Sequence, residues 1–324
     1  MHKRIKEKAI SLLQSGEVSR VLGWKKGEFF YDLTPGVFTS AEQVEEEFLF
    51  SGFAGANLSK YLIAESRKEG KIAVFLKPCD SYSFQQLLKE HRIRREQVYI
   101  VGIPCDGMLD MEKIRAQGCE GVTKVEENGE ELLVSTLYGD KTLKRQDVIL
   151  ERCAVCKSKK IVIFVDLLGE NGEETPAGDR FDQVSRLEQM TPEERYAFWQ
   201  GELSRCIRCN ACRNVCPACS CEKCVFDNPD SGVRNKAAAD SFEENMFHII
   251  RAFHVASRCT DCGECSRVCP QNIPLHLLNR KFIKDINELY GEYQAGADMD
   301  TKPPLMDFTT EDCEPSVVHT RGGN

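Results

Sequence analysis

The chain has 324 residues, 41% apolar and 29% charged, which suits about two domains with ordinary hydrophobic cores. Its formal charge of −8 argues against a nucleic-acid partner, whose phosphates demand a basic surface. No stretch approaches a membrane span, and Met1–Arg4 leads into a charged helix rather than a signal sequence, so a cytoplasmic protein is expected.

Seventeen cysteines in an acidic chain of that kind point to metal-bound thiolates rather than disulfides. In chain order, residues 5–13 form an amphipathic helix and 24–33 a strand pair around Lys26-Gly27. The turn Ser51–Asn57 precedes a helix expected over 58–68. Gly52, Gly55 and Asn57 there form either a plain tight turn or a contact for a phosphate or a flavin. Residues 72–76 and 98–103 are continuous apolar runs, the pattern of buried parallel strands. Each ends in a Pro-Cys-Asp turn, which puts Cys79 and Cys105 at the carboxyl ends of neighbouring strands, the edge where open α/β sheets bind ligands. A meander follows, over 122–126, 131–136 and 142–144, with Asn128-Gly129 as a hairpin turn. Cys153-x2-Cys156 comes next. With Cys79 and Cys105 it makes four thiolates, enough for a 4Fe-4S cluster; the alternatives are a redox dithiol at the CxxC and two buried, inert cysteines. A strand is expected over 161–168 and a linker over 170–190.

Thr191-Pro-Glu-Glu194 opens a helix with a capping box that leads towards the densest cysteine region. Cys206-x2-Cys209-x2-Cys212-x3-Cys216-Pro217 is repeated as Cys259-x2-Cys262-x2-Cys265-x3-Cys269-Pro270. In two-cluster ferredoxins three thiolates of such a run hold one cluster and the fourth crosses to the other. The expected sets are therefore Cys206, Cys209, Cys212 and Cys269, and Cys216, Cys259, Cys262 and Cys265. Zinc knuckles space their cysteines differently. A radical-enzyme triplet at Cys212, Cys216 and Cys219 uses two cysteines that the ferredoxin runs already explain. Between the runs, Phe242, Met246, Ile249, Ile250 and Phe253 fall on one helical face. The long helical insert implies an α-helical ferredoxin domain over 191–290. His248 and His254 on that helix are expected to serve surface or packing roles. A final helix over 274–290 precedes a polar tail, 291–324. Cys119, Cys219, Cys221, Cys224 and Cys313 remain. Cys219-Ser-Cys221-x2-Cys224 is dense enough for a further metal site, zinc or iron, yet one ligand short of four.

Lys77-Pro-Cys79-Asp80, Gly102-Ile-Pro-Cys105-Asp-Gly107 and Arg152-Cys153-x2-Cys156 resemble the beta-subunit family of coenzyme F-420-reducing hydrogenase and formate dehydrogenase. Phe198-Trp199 with the first ferredoxin run, and Arg251–Cys259, resemble its ferredoxin-bearing members. The resemblance spans most of residues 50–285. It implies an iron–sulfur electron-transfer subunit working with other subunits of a redox complex and, in several members, FAD that exchanges hydride with the deazaflavin. The fold class expected is an α/β domain with a mixed, mainly parallel sheet (1–169), followed by the ferredoxin domain. The competing functional expectations are a self-contained flavin/iron–sulfur oxidoreductase acting on a small substrate or deazaflavin, and a scaffold with structural clusters.

Overall fold

A computed structural model describes residues 1–173, 180–227 and 241–306, with 241–244 by backbone alone. The amino-terminal domain is built on a five-stranded sheet of order β2-β1-β3-β4-β8. Its strands are β1 (Arg20–Lys26), β2 (Leu33–Phe38), β3 (Ile72–Leu76), β4 (Val98–Gly102) and β8 (Asp166–Leu167). β2 is antiparallel to β1, and the remaining neighbours run parallel. All five residues of β3 are fully buried, as a strand covered on both faces must be. Helix α1 (His2–Gln14) packs Ile5, Ala9 and Leu12 into this core, and α2 (Ala41–Glu47) adds Val44.

The strand pair turns later than expected. Residues 27–32 form the connection, closed by a bond from the Gly27 N–H to the Asp32 carbonyl. The helix expected over 58–68 is a 3-10 turn, Ser59–Tyr61, followed by α3 (Leu62–Glu65). Only Asp166–Leu167 of the strand expected over 161–168 pairs with β4. Asn171 takes both backbone groups of Ile161, at 2.7 and 3.1 Å, which withdraws that end from the sheet.

α4 (Pro78–Lys89) starts directly after β3, with Pro78 at its first position. α5 (Met111–Ala116), the meander β5 (Val122–Asn128), β6 (Glu131–Thr136) and β7 (Gly139–Lys144), and α6 (Glu151–Ala154) follow. Cys119 is fully buried beside Ile114, Leu132 and Val134 in the meander's own small core, a packing role.

The second domain is helical. It comprises α7 (Asp182–Gln189), α8 (Pro192–Leu203), α9 (Ala211–Asn214), α10 (Ser241–His254), α11 (Glu264–Arg267) and α12 (Leu275–Tyr290). The Thr191/Glu194 capping box forms at 3.2 and 2.9 Å. The face of α10 that turns inward is not the expected one. Phe247, His248, Arg251 and Ala252 are buried, while Met246, Ile249 and Phe253 are exposed; the Phe242 side chain lies outside the described residues. Buried cysteines beside α10 call for polar partners as well as apolar ones, so helical periodicity of apolar residues alone misplaces this face. The first part of the polar tail docks: Tyr293 and Ala295 are buried. Gly296 (φ +73°) lies so close to α4 that a Cβ would sit 2.0 Å from the Tyr82 carbonyl oxygen. Only glycine fits there.

Candidate functional site

Each ferredoxin-type run wraps its cysteines through a backbone device used twice. Arg208 and Asn210 flank Cys209 with φ of +54° and +60°; Asp261 and Gly263 flank Cys262 with +57° and +63°. Paired left-handed residues turn the chain around a small hollow. The short helices α9 and α11 follow, carrying Cys212 and Cys265. Cys206, Cys209, Cys212 and Cys269 line one hollow, and Cys216, Cys259, Cys262 and Cys265 line another. The fourth cysteine of each run crosses to the other run's hollow.

The sequence brings a third set together from distant segments. Cys79 lies in the first turn of α4, Cys105 beyond β4, Cys153 in α6 and Cys156 just after it. All four line one cavity, closed in part by Gln294 of the docked tail. Cys262 and Asp261 of the ferredoxin domain line this cavity too, and also line the second hollow. The third thiol set thus abuts the ferredoxin pair across the domain seam.

That seam is held by buried charge. Glu264 is 1% exposed. It accepts from Arg152 Nη1 at 2.8 Å, from Arg267 Nε and Nη2 at 2.7 and 2.9 Å, and from the Asn57 N–H at 3.1 Å. Burial alone would raise its carboxyl, but Arg267 and Arg152 hold it at about 2. Arg152 also donates to the Gly55 carbonyl at 2.9 Å and to the Cys262 carbonyl. Nearby, Arg280 joins Asp261 and Glu151, and the Ser83 and Thr260 hydroxyls meet at 2.8 Å.

Burial pushes the Cys105 and Cys212 thiols up to about 11, and raises Cys79, Cys259 and Cys262 as well. Such thiols ionise only when a metal or a buried cation compensates them. The protein supplies such cations. Arg251 is 3% exposed and donates to the Cys212 carbonyl at 3.0 Å; burial opposes its charge, and Cys216, Cys265, Cys219 and Cys212 outweigh it. Lys77 lines the third cavity, paired with Asp80 at 2.9 Å and seated 4.5 Å from the Trp24 ring centre. His248 Nε2 lies 3.2 Å from Cys206 Sγ. Burial, aided by Arg251 and Arg208, lowers its pKa to about 3, so the ring is neutral. With its proton on Nε2 it donates to that sulfur. From the sequence, Arg152 and Arg251 entered only as first residues of motifs that carry the resemblance, and Glu264 was not singled out. Arg152 adjoins Cys153, the one signal that pointed to it.

A larger cleft, about 480 Å³, opens on the other side of Arg152. Tyr31, Phe53 and Leu109 give it apolar walls, and Arg152 and Arg267 give it cations. Its size suits part of a cofactor. Of the three turn residues considered for a flavin, Gly55 lines this cleft. The Gly52 N–H is bonded to Glu127 Oε1 at 2.8 Å. Asn57 is buried and bonded to Ser83, Ser59 and Glu264. Cys219, Cys221 and Cys224 share a separate cavity; Cys313 lies outside the described residues. No described helix is long and apolar enough to cross a membrane.

Residues 202–273 match the family described as a 4Fe-4S dicluster domain. The chain is 26% identical to the F420-dependent formate dehydrogenase subunit beta of Methanocaldococcus jannaschii, over 92% of each protein. It is 27% identical to the F420-dependent formate dehydrogenase 1 subunit beta of Methanococcus maripaludis, over 91% of this chain and 90% of that one. Among solved structures, a chain of the xenon-derivatized F420-reducing NiFe hydrogenase complex from Methanosarcina barkeri aligns with TM-score 0.39 and 15% identity, over 73% of this chain and 93% of that one. The carboxyl-terminal part of the chain thus matches a 4Fe-4S dicluster domain, and almost the whole chain is similar to the beta subunits of F420-dependent formate dehydrogenases.

Proposed function

We propose that the chain is the electron-relay subunit of a cytoplasmic redox complex, passing single electrons through three 4Fe-4S clusters. Two are held by the crossed ferredoxin sets. The third is held by Cys79, Cys105, Cys153 and Cys156. The observation that carries the reading is the wall shared by the third cavity and the second hollow, Asp261 and Cys262. A cluster in each would stand in series, from the α/β domain into the ferredoxin domain. Thiolate ligation, N–H groups near sulfur and burial set the potential of each centre. Here those groups include the Arg208 N–H to Cys206 and the Met108 N–H to Cys153, both 3.4 Å from sulfur.

The cleft beside Arg152 fits the ring of a flavin, with Tyr31 and Phe53 as apolar walls and Arg152 and Arg267 as partners for its polar edge. FAD there would supply the exchange between a two-electron hydride and one-electron carriers. The protein's part is to hold the ring beside the cluster cavity, since Arg152 lines both spaces. The relatives' names make a deazaflavin the candidate hydride partner, and formate dehydrogenase or hydrogenase subunits the candidate protein partners.

The test is anaerobic purification with native partners, followed by extraction for FAD and the deazaflavin. Donor-driven bleaching of cluster absorbance in the complex, but not in the chain alone, supports a relay. Turnover of a small substrate by the isolated chain would favour a self-contained oxidoreductase instead.

A further inference from the structure

Three of the five cysteines left over by three clusters line one cavity. Cys219, Cys221 and Cys224 line a cavity of about 330 Å³ together with Lys60, Arg251, Arg258 and His254. All three are free thiols. The loop that carries them is clamped from the α/β domain. Lys60 donates to the Cys219 carbonyl. The Ser220 hydroxyl donates to Glu90 at 3.0 Å, and Arg258 bonds both Glu90 and Ser220. A loop with three thiols and no ligand has no need of such fixing. Cations around clustered thiolates offset the charge that a metal centre would gather.

The spacing speaks against a single ion. Among the described residues, no group of three His, Cys, Asp or Glu side chains closes to single-ion distance. The same holds for the cysteines of the matched 4Fe-4S dicluster domain. Zinc would draw sulfurs to about 2.3 Å from one centre; a cubane holds its thiolates farther apart.

We propose that Cys219, Cys221 and Cys224 hold a fourth iron–sulfur cluster at the domain seam, with His254 as its fourth protein donor. His254 sits in the last turn of α10, and imidazole replaces thiolate on iron in Rieske centres. A neutral nitrogen donor leaves one negative charge fewer than four thiolates do, so this cluster has the highest potential of the four. Cys219 lies three residues beyond Cys216, which places the site as a branch beside the second ferredoxin cluster.

The test is iron, zinc and acid-labile sulfide analysis of the anaerobically reconstituted full chain, with a redox titration followed by electron paramagnetic resonance. Wild type should bind ~16 iron atoms, four cubanes, against ~12 for Cys221→Ser/Cys224→Ser. The double variant should lose only the highest-potential signal, and His254→Cys should lower that signal's potential. Cys153→Ser should remove a different signal, which separates this site from the third cluster. A wild-type total with no iron beyond that removed by substituting the other twelve cysteines overturns the proposal, and so does zinc in the triad. Because the wild-type total is decisive by itself, a misfolded double variant leaves the proposal open to refutation.

Discussion

Arg251→Met isolates the electrostatic claim about the ferredoxin pair. The guanidinium is buried, donates to the Cys212 carbonyl at 3.0 Å, and feels Cys216, Cys265 and Cys219 as well as Cys212. It therefore faces thiolates of both proposed clusters. Adding an electron to a cluster near a fixed positive charge is favoured, and removing that charge withdraws the gain. With an effective dielectric constant of about 20 and a charge separation of about 8 Å, the interaction is about 2 kcal/mol, on the order of 90 mV for a one-electron step. Methionine keeps most of the volume without the charge or the hydrogen bond. Arg251→Lys keeps the charge and loses the planar fork. Potentiometric titration of the full chain, followed by electron paramagnetic resonance, should show both ferredoxin potentials falling by on the order of 90 mV in the Met variant and by much less in the Lys variant. Unchanged potentials in an Arg251→Met protein that retains both signals would refute the reasoning. So would equal shifts in the Met and Lys variants, which would assign the effect to the hydrogen bond.

Other expectations follow from the same geometry. Glu264→Gln leaves Arg152 buried with a neutral partner; breaking such a pair costs about 3–5 kcal/mol, readable as a lower denaturant midpoint. The Glu264 carboxyl is held at about 2, below its ordinary 4.5. A depressed folded-state value gives stability that is fully present above about 4.5 and fades as pH falls towards about 2. The gap between wild type and Glu264→Gln should therefore narrow across that window, and a gap constant with pH would remove the charge from the account. His248→Phe removes the contact with Cys206 Sγ at 3.2 Å and should lower the potential of the first ferredoxin cluster alone; a shift in both clusters would point to a general packing effect. Gly55→Val adds a side chain whose Cβ would stand 3.0 Å from Arg267 and 3.4 Å from Arg152. It should cut flavin content by about tenfold or more, by crowding the cleft, with iron content unchanged; full flavin retention would place the flavin elsewhere.

The architecture was legible where one physical signal dominates. β3 has the expected bounds because a run of five apolar residues between Gly70 and Pro78 suits only a strand covered on both faces. The two crossed cysteine sets were expected from the two-cluster ferredoxin rule, and the same eight cysteines line two hollows. Parallel neighbours deliver Cys79 and Cys105 to one sheet edge, and both line one cavity with Cys153 and Cys156. Signals failed where apolarity and burial part company. On α10 the inward positions include His248 and Arg251, and the apolar Met246, Ile249 and Phe253 stay outside. The Arg152–Glu264 pair joins residues 112 positions apart, and no local pattern in the sequence links them. Asn171 trims the last strand through a side-chain bond that periodicity does not register.

The central claim is that the α/β domain carries a cubane of its own beside the ferredoxin pair. Iron and sulfide analysis of Cys153→Ser against wild type tests it most directly. The account predicts a loss of ~4 iron atoms per chain, with the ferredoxin signals intact. An unchanged iron content, or zinc in place of the lost iron, would contradict it.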